Sequence, residues 1–371
     1  LYLVAPDGTT IVHGYTTPLN VANYGVDRDP DETNVSFGIQ GGPGLTGYFP
    51  TPTPGGVNAA KTGGAGPLIN AINHAPEQPG PAEAITVSAL IRPEVDEIDD
   101  GENTPNSIVS ATLTYRVMFG PEQSVAMRND GTNGDLIAGD NVWTGVIPSS
   151  HGAAAGQMLR WRISALSGFN TTRRAPQFLR PDAPEYFGTV ITDTSLTTPL
   201  PVFHRFVETP ALADTLGGTF CSVYYNGEFH DRCRIRLRGN TSRSFPKKSH
   251  KIDLPPGRRV PLKAPIPGQP EPDQVSELNL NTTYTDKSYT RALMAAEMHA
   301  LSGIASPEIF HIHQRENGAF YSVALCVENV DDTFLKKHGI DDHGAFYKAV
   351  GDNGACDFTT ASAFEKKNRH P

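Results

Sequence analysis

Seven cationic side chains and no acid fall between Arg234 and Lys251: Arg234, Arg236, Arg238, Arg243, Lys247, Lys248 and Lys251. The whole chain carries a formal charge of -9, so this run is a local concentration against the overall sign. Dense ammonium and guanidinium groups without acids among them suit an anionic ligand, because charge-assisted hydrogen bonds to phosphate or carboxylate are the strong ones. The run begins as an alternating strand, with Ile235 and Leu237 on one face and Arg234, Arg236 and Arg238 on the other. It turns through Gly239-Asn240-Thr241-Ser242 and re-enters a strand at His250–Leu254, which carries Lys251.

The elements that would position these groups follow downstream. A helix is predicted over Lys287–Leu301, with Asp286 as its N-cap and Ser302-Gly303 as its stop. Tyr289, Ala292, Leu293, Ala296, Ala300 and Leu301 form an apolar stripe, and Glu297 falls at its edge. A carboxylate placed there needs a partner. Protein kinases hold ATP phosphates with a Gly-containing hairpin, a strand lysine and a helix glutamate. Gly239, Lys251 and Glu297 fit that arrangement, although a strand lysine beside a helix glutamate is equally an ordinary salt bridge. Strands are predicted at Glu308–His313 and Phe320–Glu328, turning through Arg315–Gly318.

Composition sets the frame. With 371 residues, two or three domains are expected. Thirty-six Gly and 31 Pro favour β-rich, loop-rich modules, and a mean hydropathy of -0.35 fits modest cores. No run of about 18 apolar residues occurs, so no membrane segment is expected. Residues 1–200 hold 10 Lys/Arg against 20 Asp/Glu, which argues against a nucleic-acid partner. The chain starts at Leu1, reads as mid-domain strand there and shows no closing element at Pro371, so it is read as part of a longer protein. Cys221 and Cys233 flank an Asn226-Gly227 turn. A three-residue turn would set them opposite, leaving either a disulfide or two buried thiols.

Taken in order, residues 1–58 open with a hairpin at Pro6-Asp7-Gly8 and close on a Pro-rich stretch. The motifs Ser36-Phe37-Gly38 and Thr53-Pro54-Gly55 resemble the last part of a lamin-tail-like β-sandwich. Residues 59–80 read as a linker rich in Gly, Ala, Asn and Pro. Residues 81–184 alternate at period two and resemble a fibronectin- or immunoglobulin-like sandwich. Asp130, Asp135 and Asp140 in its 130–140 loop could ligate calcium, but Asp-Gly turns are the ordinary reading of such a stretch. Residues 185–371 mix strands with one clear helix. The fold expected is multidomain: all-β sandwich modules followed by an α+β kinase-like domain. His311 and His313 could ligate a metal, but no third ligand joins them at recognisable spacing. Lys336-Lys337-His338 reads as a solvated helix face.

The segments Arg236–Arg243 and Pro246–Leu254 together resemble the signature of the CotH family of spore-coat-protein-H-like atypical protein kinases. His250 stands where an aromatic is usual. The resemblance continues through Leu278–Asn281, Asp286–Ser288 with Arg291, Glu308–His311, Ser322–Glu328 and Phe346–Ala349. It implies a kinase-like fold that binds ATP with Mg²⁺ or another divalent metal and phosphorylates protein Ser/Thr. Under it, Lys251 would be the phosphate lysine and Glu297 its partner. Arg238, Gly239, Asn240 and Arg243 would shape the phosphate-facing hairpin. Glu328 would lie near the nucleotide, and Lys348 would face the cleft. The family's metal-binding and catalytic aspartates are expected after Pro371. Asp352 and Asp357 read as turn residues, so the chain alone is expected to be inactive. The modules upstream imply an extracellular or cell-surface setting. The competing readings are a structural or adhesive extracellular protein with an inactive kinase-like module, and a polyanion binder using the basic hairpin.

Overall fold

The computed structural model describes residues 66–93, 107–168, 170–178, 181–264, 272–341, 343–349 and 364–367, together with four short strands nearer the N-terminus. Those four are β1 (Tyr2–Val4), β2 (Ile11–Gly14), β3 (Ser36–Ile39) and β4 (Thr46–Phe49), paired antiparallel as β1–β2 and β3–β4. The first pair matches the expected hairpin, although its Pro6-Asp7-Gly8 turn lies outside the described residues, as do Thr53-Pro54-Gly55, Asp352, Cys356 and Asp357. The chain divides into two compact units: Leu1–Leu196 with Phe229–Arg232, and Thr197–Glu228 with Cys233–Pro371.

In the first unit, β5 (Leu68–Ala75), β6 (Ile85–Arg92) and β9 (Val142–Ile147) form one sheet. A second sheet is built on β7 (Ile108–Val117) and β10 (Met158–Ser167). It is flanked by β8 (Gln123–Ala126), β11 (Thr172–Ala175) and β12 (Phe187–Val190). Alternation decides the packing. Ile85, Val87, Ala89 and Ile91 share one buried core with Leu113, Tyr115, Leu159, Trp161 and Ile163 from the other sheet. Two readings of the sequence are corrected here. The stretch expected as linker contains β5, whose Leu68 is buried and whose Ile69 and Ile72 pack on the core. Its apolar signal is broken by a register shift near Ala71, which takes a left-handed φ of 46°. The other concerns β12, which pairs with β10, so the chain stays with this unit to Leu196.

In the second unit, where an α+β kinase-like domain was expected, seven strands close into a barrel. Its strands run β13 (Val202–Phe206), β14 (Thr219–Tyr225), β15 (Glu228–Leu237), β16 (His250–Asp253), β19 (Glu277–Asn281), β21 (Ala319–Val327) and β20 (Ile309–Glu316). Parallel pairing of β13 with β20 closes it, so Val202 lies opposite His313. Closure leaves no free sheet edge. The interior is filled by Phe203, Val223, Ile235, Ile252, Leu278, Ile312 and Ala324 among others. Each large aliphatic side chain buried there contributes roughly 1.5–3 kcal/mol relative to exposure. A small ribbon of β17 (Val260–Pro261) with β18 (Gln274–Val275) sits in the β16–β19 connection. A further pair joins β22 (Tyr347–Ala349) to β23 (Phe364–Lys366).

Among the described residues, three short helices accompany the barrel: α1 (Pro210–Ala213), α2 (Arg291–Leu301) and α3 (Asp332–Lys337). Helix α2 starts four residues later than expected, because Tyr289 adopts a left-handed φ of 62° just before it. Asp286 still serves its first turn, accepting the Arg291 N–H at 3.0 Å. Gly303, with φ 74°, ends the helix as expected. Turning to the cysteines, no disulfide joins Cys221 to Cys233. Both lie in the barrel core with Cys326, as thiols. The Asn226-Gly227 turn takes two residues, both at positive φ, rather than three. Among the described residues no helix is long and apolar enough to cross a membrane.

Candidate anion site on the barrel

The alternation read from the sequence in β15 is realised. Ile235 and Leu237 point into the core, while Arg234 is exposed and Arg236 half-exposed. Lys251 on β16 lies opposite Arg236 on one side and Asn279 on the other. Between β15 and β16 the chain passes through Gly239, at φ 98°, and a single 3-10 turn over Thr241–Ser244. Arg243 ties that turn down, donating from Nε to the Asn240 carbonyl at 3.1 Å and from Nη2 to its side-chain oxygen at 2.8 Å.

The partners of the seven cations divide sharply. Arg234 donates to the Gly217 carbonyl at 2.6 Å, and Arg238 to Asn281 Oδ1 at 2.6 Å. Lys248 donates to the Arg243 carbonyl at 2.7 Å. Lys247 donates to Thr283 Oγ1 at 3.2 Å and to the Val323 carbonyl, with the Tyr289 ring 5.0 Å away. Among the described residues, only Arg236 and Lys251 reach carboxylates. Arg236 meets Asp253 at 3.7 Å, and Lys251 meets Glu277 at 2.6 Å and Asp253 at 3.2 Å. Hence Arg234, Arg238, Arg243, Lys247 and Lys248 keep their charge opposite neutral oxygens. Burial, followed by the nearby Arg236 charge, pushes Arg238 below the usual guanidinium range.

The pairing of Lys251 with Glu297 is not what the structure shows. Glu297 is exposed on α2, which buries none of its residues; Leu293 and Ala296 of the expected stripe are only half-buried. Glu277, on the strand beside Lys251, takes that place. Its carboxylate also accepts from Asn329 Nδ2 at 2.6 Å, and the Asn329 side-chain oxygen accepts from buried Asn279 at 3.2 Å. Sequence spacing missed Glu277 because the helix rule looks along the chain, whereas strand pairing brings 251 and 277 together across it.

The remaining expected residues fall as follows. Glu328 is buried, accepts the Glu308 N–H at 2.8 Å and lies 3.4 Å from Lys337 Nζ. Lys337 also meets Asp273 at 2.6 Å, so it is an ion-pairing residue rather than part of a solvated face. Lys348 is exposed on β22. It shares a neighbourhood with Lys251: the Glu365 carboxyl is held below its usual range first by a hydrogen bond from Lys367, with partial burial opposing, and further by the charges of Lys367, Lys348 and Lys251. His311 Nε2 donates to the Tyr289 carbonyl at 2.8 Å. The carboxylates of the 130–140 loop accept from backbone N–H groups of that loop: Asp130 from Thr132, Asp135 from Gly131 and Asp140 from Val142. Among the described residues no three His, Cys, Asp or Glu side chains gather as a metal site would require.

His250, the departure from the aromatic pattern, is part of a buried lock that the sequence did not announce. Arg205, 1% exposed, donates from Nη1 to His250 Nδ1 at 2.9 Å and pairs through Nη2 with Glu316 at 2.6 Å. Its guanidinium carbon lies 3.9 Å from the Tyr321 ring centroid. With Nδ1 accepting, His250 Nε2 carries the proton and donates to Asp214 at 2.8 Å. Burial, then the Arg205 charge, lowers His250 to about 4, with Asp214 opposing. The imidazole is therefore neutral at physiological pH and fixes the start of β16.

Residues 235–371 match the protein-family model described as CotH kinase protein. Inner spore coat protein H of Bacillus subtilis (strain 168) is 29% identical over 136 residues, covering 36% of this chain and 33% of that protein. The chain thus spans about a third of the length of that curated relative. The matched segment carries six of the seven cations, from Arg236 to Lys251, and the CotH resemblance read from the motifs is borne out for this C-terminal segment.

Proposed function

We propose that the barrel unit is the nucleotide-holding part of a CotH-type kinase, which transfers phosphate from ATP to protein Ser/Thr in a secreted or coat-associated surface protein. The observation that supports this reading most is that Arg238, Arg243 and Lys248 stand opposite neutral oxygens, within a segment that matches the CotH family. A polyphosphate would supply the missing counter-charge, and the left-handed Gly239 lets backbone N–H groups come close to it. These residues fit a nucleotide's phosphates: Arg238 and Arg243 shape the hairpin, and Lys251 offers a point charge oriented by Glu277. Among the described residues, no group of three His, Cys, Asp or Glu side chains is placed to hold the Mg²⁺ that the resemblance implies.

A second reading, an inactive kinase-like module in a structural or adhesive extracellular protein, is favoured by two details. Lys251 is already neutralised by two carboxylates, and Glu297 stands exposed. Calorimetric titration of ATP separates the two readings. Micromolar binding that weakens at least about tenfold in Lys251→Ala and in Arg238→Gln, at unchanged melting temperature, is expected from the first. Equal ATP affinity in both variants and the unaltered chain would remove these residues from the site. No binding at all would leave the inactive module.

A further inference from the structure

A cavity of about 540 Å³ opens on the barrel, lined by Leu200, Lys247, Tyr289, His311, Phe320, Tyr321, Ser322 and Val323. That volume is ordinary for a small-molecule site. Its wall is aromatic, and two of its rings reach solvent: Phe320 is 60% exposed and Tyr289 38%. Exposed aromatic rings at a cavity are where flat ligands stack.

One cation enters this apolar surface. The Lys247 ammonium sits against the Val323 carbonyl, the Thr283 hydroxyl and the face of the Tyr289 ring. Among the described residues no carboxylate reaches it, in contrast to Lys251 four positions on. Burial, and after it the charge of nearby Lys287, lowers the Lys247 pKa, with Tyr289 opposing. Both lowering influences penalise the charged form, and an anion arriving in the cavity would relieve them.

The geometry of Tyr289 is a second, independent sign. An aromatic residue at φ 62° is a genuine outlier, and such strain collects at ligand sites. The hydrogen bond from His311 Nε2 to the Tyr289 carbonyl, at 2.8 Å, holds this conformation. His311 and Tyr289 both line the cavity, so the bond anchors the Tyr289 backbone at its wall. His311, read from the sequence as a weak metal candidate, thus acts here as a positioning residue for Tyr289.

We infer that this cavity is a binding site for a small planar ring carrying an anionic group, a carboxylate or a phosphate, with the ring against Phe320 and Tyr289 and the anion at Lys247. The site is separate from the face that carries Lys251, since none of Arg236, Arg238, Lys251 or Glu277 lines the cavity. It goes beyond the kinase reading and does not depend on it.

The test uses three probes of one shape and different charge: 2-naphthoate, 2-naphthylmethanol and 2-naphthylmethylamine. Each is titrated into the full chain by calorimetry and saturation-transfer NMR. Naphthoate is expected to bind about tenfold tighter than the alcohol, and the amine least. Phe320→Ala removes an exposed ring without opening the core and should weaken naphthoate roughly fivefold. Lys247→Met should abolish the preference for the anion; if that variant fails to fold, the order of the three probes and Phe320→Ala still decide. Lys251→Ala should leave naphthoate binding unchanged. Equal affinity for all three probes, no binding at millimolar concentration, indifference to Phe320→Ala, or a loss in Lys251→Ala as large as in Phe320→Ala would each overturn the inference. ATP titrated into the same samples reports on the kinase reading independently: naphthoate bound without ATP removes that reading alone, and ATP bound without naphthoate removes the cavity alone.

Discussion

Lys247 and Lys251 are four residues apart on one basic run, yet the barrel treats them in opposite ways. Lys251 stands on β16, where strand pairing brings Glu277 to 2.6 Å and the alternation of its own strand brings Asp253 to 3.2 Å. Lys247 lies before that strand, beside a carbonyl, a hydroxyl and an aromatic ring in an open cavity. A compensated ammonium is ordered and largely satisfied. An uncompensated one at a cavity mouth retains binding capacity. Density of positive charge in a sequence therefore does not rank its members as ligands; the acids that folding brings to each do.

The largest expected effect breaks both lysine environments together. His250 begins β16, so its lock with Arg205 and Asp214 supports both. Its folded pKa of about 4 lies below the unfolded value of about 6.5. The unfolded chain binds the proton first, so this contribution to stability is fully present above about pH 6.5 and is lost as pH falls toward about 4. The loss amounts to about 3 kcal/mol across that window. Urea midpoints measured from pH 7.5 to 4 should fall accordingly, and His250→Gln should show a flatter slope. An unchanged slope would mean that His250 is not the titrating group.

A smaller effect isolates the compensated side. A double-mutant cycle of Lys251→Met with Glu277→Gln should return a coupling of about 1 kcal/mol in urea unfolding, since both side chains are more than two-thirds buried. The same cycle between Lys247→Met and Glu277→Gln should return about zero, because the two groups share no contact. A coupling of equal size in the two cycles would erase the distinction between the lysines.

The smallest effect is a titration. Followed by NMR of its ε-methylene, Lys247 should deprotonate below the ordinary lysine range, because burial disfavours the ammonium. Adding naphthoate should move that titration upward, since a bound anion favours the charged form. An upward shift without probe would contradict the buried, uncompensated environment.

Much of the local structure was legible in the sequence because it depends on near neighbours. The alternation of Ile235 and Leu237 with the arginines, the Asn226-Gly227 turn and the stop of α2 at Gly303 all follow from side-chain period and backbone freedom. So did the ordered motifs of the segment that matches the CotH family. Other features were hidden because their cause is remote. Glu277 reaches Lys251 only through the β16–β19 register. Asp214, Arg205 and Glu316 meet around His250 only because β13 and β20 close the barrel. The Glu297 expectation failed for the converse reason: a helical stripe says which face could be buried, not that anything covers it.

By itself the sequence determined where positive charge is concentrated, which residues alternate into strands and which family the C-terminal segment resembles. Those properties are carried by residue identity and short-range spacing. The tertiary structure alone decided which cation is neutralised and which is left facing a cavity. Electrostatic compensation acts over a few ångströms of space, and only closure of the barrel sets which residues, however distant in the chain, come within that reach.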